Sequence, residues 1–287
     1  MDINSELRYL QRPEGRLAYT VSGTGPLVIA VPGMGDLRSV YREIAGPIVD
    51  SGYRLATMDL RGHGDSDTSF TIHGDAATGS DMLALISELG EPAVIMGNSM
   101  SASAAAWAAA EHPDAVAGLV LYSPFLRDPS TNSLAKWAMR LLFRVMFARP
   151  WGAWLWASYY ASLNKGTQAP WLSQHKDDIH RSFSRPDKLR SLRHLAVQLN
   201  HSEVEVRLPS VSAPALIVMG DRDPDFRSPA DELAWATETL DAEGLLVPDT
   251  GHYPQAQRPD LVAEATLSFL AKVRPASANP VGRNTNG

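Results

Sequence analysis

The chain has 287 residues, of which 44% are apolar and 20% are charged. A chain of this length and composition buries a substantial core, which excludes disordered and collagen-like proteins. It contains no cysteine, so disulfide frameworks, thiolate nucleophiles and cysteine-ligated metals are excluded as well. The formal net charge of −6 argues against a nucleic-acid-binding protein, which would ordinarily be basic.

Signals for export and for membrane insertion are weak. The first six residues lack the basic region and apolar run of a secretory signal. The most apolar stretch, residues 137–163, is interrupted by Arg140, Arg144 and Arg149, so it does not predict a membrane-spanning helix. We therefore expect a cytoplasmic protein without stable membrane insertion.

The first half of the chain alternates short apolar runs with patterns typical of helices. The runs are continuous and bounded by glycine or proline, as expected for buried strands. They lie at residues 27–31, 54–58, 93–96 and 116–121, with helices predicted at residues 39–49, 75–89 and 100–111. Such alternation requires crossover connections, and it predicts a mostly parallel, doubly wound α/β sheet with helices on both faces.

The alternation stops between residues 127 and 209, where the pattern predicts helices and no strand. It resumes with strands at residues 215–219 and 245–247 and helices at residues 229–240 and 260–273. The last residues have no periodicity. We therefore predict a core formed by residues 1–126 and 210–274, a helical cap inserted at residues 127–209, and a flexible tail at residues 275–287.

Residues 97–101, Gly-Asn-Ser-Met-Ser, follow a predicted buried strand and precede an alanine-rich helix. A strand-to-helix turn of this type holds its serine in a strained conformation, with the hydroxyl exposed at the sheet edge. The residues two positions away must be small, a condition that Gly97 meets and Ser101 meets approximately. We interpret Ser99 as a candidate nucleophile, although the five residues alone also fit an ordinary strand–helix junction.

A serine hydroxyl needs a base to accept its proton, and the base needs an acid to orient it. Asp223 follows the strand predicted to end at residue 219, and His252 follows the strand at residues 245–247. The ends of parallel strands converge at one edge of a sheet, so we expect Ser99, Asp223 and His252 to meet. For the other seven histidines, a structural or surface role is the better expectation.

A tetrahedral intermediate also needs hydrogen-bond donors for its oxyanion. We expect one donor to be the backbone N–H of Met100, which follows the nucleophile. The second is expected from the glycine-containing loop after residues 27–31, where we select the N–H of Met34. Taken alone, this loop also fits a plain glycine turn.

The chain resembles the serine hydrolases of the α/β-hydrolase superfamily from about residue 23 to residue 272. Four features carry the resemblance. They are Pro-Gly-Met-Gly at residues 32–35, Asp-Leu-Arg-Gly-His-Gly-Asp-Ser at residues 59–66, the segment at residues 97–101, and the pair Asp223 and His252. The resemblance implies the α/β-hydrolase fold and the triad Ser99, Asp223 and His252. It favours Asp223 over Asp221 and Asp225, gives residues 59–66 a structural role, and makes the inserted helices a lid.

Two positions depart from the superfamily pattern. Pro32 stands where histidine is common before the oxyanion glycine, and Ser101 stands where glycine is common. Both lie beside the expected oxyanion hole and acyl pocket.

Relatives that open epoxides or displace halide carry aspartate at the nucleophile position, so Ser99 indicates acyl transfer. We therefore predict a hydrolase that cleaves an ester or related acyl bond through an acyl-enzyme. A carbon–carbon hydrolase, a thioesterase, a perhydrolase-like enzyme and a ligand-binding protein with weak turnover remain alternatives. No phosphate-binding loop, HExxH pattern or dinucleotide-binding GxGxxG is present, so neither a cofactor nor a metal is implied.

The predicted cap differs from the rest of the chain in composition. It holds five of the seven tryptophans, and its 13 Lys/Arg and 6 Asp/Glu give a net charge of +7. Most of its aromatic rings are expected to hold the cap on the core, and some to line an apolar acyl or aromatic pocket. Lys136, Arg140 and Arg144 recur every four residues. This stripe fits a solvated helix face, and alternatively it favours an anionic small-molecule substrate or a transient contact with an anionic membrane surface.

Overall fold

The computed structural model describes residues 6–128 and 133–273, and the predicted tail at residues 275–287 lies outside these ranges. Eight strands form one sheet in the described chain. They are β1 (Leu7–Arg12), β2 (Gly15–Ser22), β3 (Leu27–Val31), β4 (Arg54–Met58), β5 (Ala93–Asn98), β6 (Val116–Tyr122), β7 (Ala215–Gly220) and β8 (Glu243–Val247). Their spatial order is β1-β2-β4-β3-β5-β6-β7-β8. The hairpin β1–β2 and the pair β2–β4 are antiparallel, and all other neighbours are parallel.

The helices follow the strands in the order that the sequence predicts. They are α1 (Arg42–Asp50), α2 (Asp75–Leu89), α3 (Met100–Glu111), α4 (Ser133–Met146), α5 (Gly152–Leu163), α6 (Leu172–Phe183), α7 (Pro186–Gln198), α8 (Ser202–Glu205), α9 (Pro229–Leu240), α10 (Pro254–Gln257) and α11 (Pro259–Val273). Helices α2, α3 and α9 pack on one face of the sheet, and α1 and α11 pack on the other. The predicted doubly wound α/β sheet is confirmed.

Burial explains which strands the sequence predicts well. Every residue of β3, β5 and β7 is buried, as expected for parallel strands that are covered on both faces. The sequence prediction did not include β1 and β2. Strand β1 lies at the sheet edge with four of its six residues exposed, so it lacks the continuous apolar run by which the other strands were recognised.

Five helices, α4 to α8, connect β6 to β7. Helices α5, α6 and α7 contribute buried side chains to the same apolar cluster as α1 and α11. None of the helices in residues 6–128 and 133–273 is both long enough and apolar enough to cross a membrane. The division into a core at residues 1–126 and 210–274 and a cap at residues 127–209 stays a prediction.

Trp156 of α5 connects the inserted helices to the loop after β3. Its indole Nε1–H donates a hydrogen bond of 2.8 Å to the carbonyl oxygen of Gly35, and its side chain is buried. Gly35 has a φ of +72°, and a Cβ atom there would overlap the Trp156 ring. The close approach of indole to backbone therefore requires glycine at position 35.

We predict that Gly35→Ala lowers the free energy of unfolding far more than Gly90→Ala does. Both residues have positive φ, but a Cβ atom at Gly90 would meet nothing within 4 Å. Gly90→Ala should cost about 1 kcal/mol through backbone strain alone. Gly35→Ala should cost about 2 kcal/mol more, because Trp156 must move. Urea denaturation of the two variants measures the difference, and equal losses would contradict the contact between Gly35 and Trp156.

Candidate active site

Ser99 lies in the turn between β5 and α3, with φ 58° and ψ −126°. Residues other than glycine rarely adopt this backbone conformation, and tight packing around the turn maintains it here. A Cβ atom on Gly97 would lie 2.5 Å from the carbonyl oxygen of Ser101, and one on Gly33 would lie 3.0 Å from Cβ of Ser99. The turn therefore requires glycine at position 97, and it leaves little room for a side chain at position 33.

Asp223 and His252 meet at the same edge of the sheet, just beyond the ends of β7 and β8. Both side chains are buried, and Nδ1 of His252 donates a hydrogen bond of 2.8 Å to Oδ2 of Asp223. Oδ2 of Asp225 is 3.8 Å from the same nitrogen. Asp221 instead accepts a hydrogen bond of 3.2 Å from the N–H of Thr250. The geometry favours Asp223 as the partner of His252.

The charge of Asp223 determines the protonation behaviour of His252. Burial by itself lowers the pKa of His252, but the charge and hydrogen bond of Asp223 raise it, with a further contribution from Asp225. The net effect raises the pKa above its ordinary value. Because Nδ1–H is committed to Asp223, the neutral imidazole has Nε2 as its acceptor.

The carboxylates and the imidazole are also close enough to be considered as metal ligands. Ligand atoms of Asp223, Asp225 and His252 lie within 4.8 Å of one another. The hydrogen bond between Asp223 and His252 uses two of these atoms, so an acid–base pair explains the cluster without a metal.

The residues that hold His252 in place do not stand out in the sequence. The side-chain amide of Asn98 donates to the carbonyl oxygen of His252 at 3.2 Å, and the N–H of His252 donates to the carbonyl oxygen of Leu163 at 3.0 Å. Tyr159 donates a hydrogen bond of 2.6 Å to Asp225. Only the position of Asn98 next to Ser99 offered a signal in the sequence; the partners in α5 are distant along the chain.

Met34 and Met100 present the backbone N–H groups that we expect to bind an oxyanion. Met100 is the first residue of α3, so its N–H has no acceptor within the helix. The N–H of Met34 likewise forms no hydrogen bond to a described residue. Both residues and Ser99 line one cavity.

The two departures from the superfamily pattern contact each other. The hydroxyl of Ser101 donates a hydrogen bond of 2.5 Å to the carbonyl oxygen of Pro32. This bond joins the start of α3 to the loop that carries Met34. Ser101 therefore holds the loop after β3 in place, a contact that a glycine at position 101 could not form.

His63 holds the other side of the same loop. Its Nε2 accepts a hydrogen bond of 3.0 Å from the N–H of Gly35, and its Nδ1 lies 2.9 Å from the carbonyl oxygen of Arg61. Burial lowers its pKa to about 3, so the ring is neutral at physiological pH. In the same segment Asp59 accepts backbone hydrogen bonds from Arg38 and Asp65. These contacts agree with the structural role that the resemblance implies for residues 59–66.

The cavity encloses about 810 Å³ and is lined by Ser99 and His252. Its walls are mainly apolar, and several come from the inserted helices. The apolar lining includes Phe125, Met139, Phe143, Met146, Trp156 and Leu163. Four polar or charged residues also line the cavity, namely Asp128, Arg140, Asn200 and His201. The structure thus brings the five predicted site residues to one edge of the sheet, although no hydrogen bond joins the side chains of Ser99 and His252 in the described chain.

Comparison with known proteins identifies relatives of this chain. A 2-hydroxy-6-oxononadienedioate/2-hydroxy-6-oxononatrienedioate hydrolase of Comamonas testosteroni is 26% identical over 272 residues, covering 89% of this chain and 91% of that protein. A probable esterase of Oryza sativa subsp. japonica is 26% identical over 262 residues, covering 86% and 92% respectively. A solved thermophilic esterase from Thermogutta terrifontis has a TM-score of 0.77 at 23% identity, covering 94% of this chain and 100% of that one.

The family model described as serine aminopeptidase, S33, matches residues 24–239. The matched region includes the loop at Met34, the turn at Ser99 and Asp223, and it ends before His252. Because it spans well over half of the chain, and because the sheet has the expected topology, the chain belongs to the serine aminopeptidase S33 family of α/β-hydrolases.

Proposed function

We propose that this protein is a serine hydrolase that cleaves an ester or related acyl bond through an acyl-enzyme on Ser99. The observation that carries the proposal is the buried 2.8 Å hydrogen bond between Asp223 and His252, on the cavity that also holds the strained Ser99. An acid that orients a base beside a serine is the arrangement that activates a hydroxyl for attack.

In the first half of the reaction, Oγ of Ser99 attacks the carbonyl carbon of the substrate. Nε2 of His252 accepts the serine proton, and Asp223 stabilises the imidazolium that forms. The carbonyl oxygen becomes an oxyanion, for which the N–H groups of Met34 and Met100 are the proposed donors. Collapse of the intermediate breaks the bond to the leaving group, which takes the proton from His252.

In the second half, water replaces the leaving group in the cavity. His252 accepts a proton from the water as it attacks the acyl-enzyme, and the same two N–H groups bind the second oxyanion. Collapse returns the proton to Oγ of Ser99 and releases the carboxylic acid. No step needs a cofactor.

The substrate class is a small molecule with an apolar acyl or aromatic group. The apolar walls of the cavity support this choice, because an apolar group buried there is removed from water. A volume of about 810 Å³ is within the range of ordinary ligand sites.

Carbon–carbon hydrolysis is the second candidate. The observation that favours it is the similarity to the Comamonas testosteroni enzyme that is named for a 2-hydroxy-6-oxo dienedioate substrate. The same triad can serve both reactions, so the choice between them depends on which substrates the cavity accepts. Thioester hydrolysis and peroxide-dependent acyl transfer can be tested by assaying the wild-type and Ser99→Ala proteins with the corresponding substrates.

We predict that Ser99→Ala abolishes covalent labelling by a fluorophosphonate probe. Hydrolysis of nitrophenyl esters of graded acyl length should fall by about 10⁴-fold, because the nucleophile is lost. Ser51→Ala is the matched control, since Ser51 is exposed beyond the end of α1 and should react as wild type. Absence of labelling and of Ser99-dependent hydrolysis in the wild type would instead favour a ligand-binding protein.

The same wild-type and Ser99→Ala proteins should be assayed with a 2-hydroxy-6-oxo dienoate. The ester proposal expects kcat/KM for the preferred nitrophenyl ester to exceed that for the dienoate. A reversed order, with both activities lost in Ser99→Ala, would make carbon–carbon hydrolysis the function.

We predict that kcat/KM falls on the acid side with an apparent pKa above about 6.5, the ordinary value for histidine. Only neutral His252 can accept the serine proton, and Asp223 raises the pKa of His252. Asp223→Asn should move this limb to lower pH and reduce the rate by about 10⁴-fold. Asp225→Asn, at 3.8 Å, should move it less. The measurement is a pH–rate profile, and a limb unaffected by Asp223→Asn would exclude His252 as the titrating base.

A further inference from the structure

Two further histidines form buried pairs with aspartates, and they differ in their second ring nitrogen. Nε2 of His175 lies 2.6 Å from Asp36, and its Nδ1 lies 2.9 Å from the guanidinium of Arg42. Both nitrogens are therefore engaged within the protein, and this ring does not line the cavity. His175 is explained as a structural residue between α6 and the loop after β3.

His201 is arranged differently. Its Nδ1 lies 2.8 Å from Oδ2 of Asp75, the residue is only 6% exposed, and it lines the cavity with Ser99 and His252. Its Nε2 forms no hydrogen bond to a described residue, and it is not among the polar atoms sealed from solvent. Because His201 lines the cavity, Nε2 is the ring nitrogen that is available to a bound molecule.

Phe125 joins His201 to the proposed catalytic base. The ring of His201 stacks on Phe125 at 5.7 Å with an interplanar angle of 10°. The ring of His252 contacts the same phenyl group at 5.8 Å. Both imidazole rings therefore contact the same phenyl ring, and both line the cavity, so one bound molecule can contact both.

The environment of His201 selects the group that it can bind. With Nδ1–H donated to Asp75, the neutral ring has an acceptor at Nε2. The backbone N–H of His201 donates to Asp128 at 3.1 Å, so two carboxylates are adjacent to this residue. Both carboxylates and the free ring nitrogen are hydrogen-bond acceptors, so a hydrogen-bond donor such as a hydroxyl is the complementary group.

We propose that His201 is a specificity-determining residue whose Nε2 accepts a hydrogen bond from a hydroxyl group of the substrate. Asp75 is a positioning residue that fixes the tautomer and orientation of the ring. This inference rests on the proposed function, because it places the hydroxyl in a molecule whose carbonyl carbon is attacked by Ser99.

The test compares pairs of nitrophenyl esters that differ only in a terminal hydroxyl on the acyl chain. For at least one length of the acyl chain, the wild type should have a kcat/KM about tenfold higher for the hydroxylated ester than for its plain partner. This is the effect expected for one buried hydrogen bond. His201→Phe keeps a ring that can stack on Phe125 but should lose the preference for the hydroxylated ester. Asp75→Asn should weaken the preference, and His112→Gln, at an exposed position, should preserve it.

A binding measurement keeps this test independent of turnover. In Ser99→Ala protein, calorimetry should give a Kd about tenfold lower for the hydroxylated ester than for its partner. Equal affinities at every chain length, or a preference that survives His201→Phe, would overturn the role of His201. Loss of fluorophosphonate labelling, by contrast, bears only on the proposed function.

A separate observation concerns the outer surface of α4 and the start of α5. Seven large apolar side chains are exposed there, with Trp137 at 60% and Trp154 at 61%. The surface, which we call the exposed cap surface, comprises Trp137, Met139, Leu141, Leu142, Val145, Trp151 and Trp154. Exposure of so many large apolar side chains in one short segment is typical of an interaction site in a folded protein.

The charge around the exposed cap surface indicates what it contacts. Arg140, Arg144 and Arg149 are exposed beside it. No acidic residue occurs between Asp128 and Asp177, where six Lys/Arg give the segment a net charge of +6. Exposed tryptophans and aliphatic side chains in a segment that carries cations and no acidic residue complement the surface of an anionic bilayer.

We propose that the exposed cap surface binds the surface of anionic membranes, without insertion of a spanning helix. Because Met139 and Arg140 also line the cavity, this contact would place the cavity wall at the lipid interface. The test is co-sedimentation with vesicles of phosphatidylcholine alone and with about 30% phosphatidylglycerol, which supplies the negative surface potential. Binding should require the anionic lipid and weaken with salt.

Variants separate the two contributions to membrane binding. Arg144→Gln and Arg149→Gln should each weaken it about fivefold, the equivalent of about 1 kcal/mol per cation at the surface. Leu141→Ser should weaken it as well, whereas Ile72→Ser, at a position that is more exposed but remote in sequence, should not. Equal binding to neutral vesicles, no binding to anionic ones at low salt, or a dimer that Leu141→Ser dissociates would overturn the proposal.

Discussion

The turn at Ser99 and the loop after β3 approach each other so closely that a side chain at Gly97 would overlap the backbone and one at Gly33 would crowd Ser99. Gly33 packs against Cβ of Ser99, and Gly97 packs against the backbone of Ser101. This contact places the N–H groups of Met34 and Met100 on the same cavity as the serine hydroxyl. The contact between the turn and the loop fixes the position of Ser99. The candidate base and its acid can act on the hydroxyl only if that position is fixed.

The loop after β3 is held from three directions. Ser101 binds its first carbonyl from the sheet side, His63 accepts the N–H of Gly35, and Trp156 donates to the carbonyl of Gly35 from the inserted helices. Backbone groups that bind an oxyanion must be fixed before the reaction, because reorganisation would cost part of the stabilisation. The involvement of Trp156 means that the inserted helices contribute to this order as well as to the cavity wall.

Sequence patterns predicted the strands that are buried along their whole length. Strands β3, β5 and β7 are apolar throughout, and their predicted positions are confirmed almost to the residue. The hairpin β1–β2 was missed because its edge strand is exposed and largely polar. The first helix was predicted to start at residue 39, but Arg38–Tyr41 forms a 3-10 turn instead. Asp59 fixes this turn by accepting the N–H of Arg38, a contact between distant segments that no local pattern reveals.

By itself, the sequence determined the α/β fold and the chain order of Ser99, Asp223 and His252, since buried runs and strand-end positions are local properties. The apposition of Asp223 and His252 follows from strand ends meeting at one edge. Only the tertiary structure decided the remaining contacts, namely the bond from Ser101 to Pro32, the approach of Trp156 to Gly35, and the pair of His201 with Asp75. These contacts join segments that are far apart in the chain, and each depends on the precise distance between two atoms. Side-chain packing in the folded protein sets such distances, and sequence spacing does not.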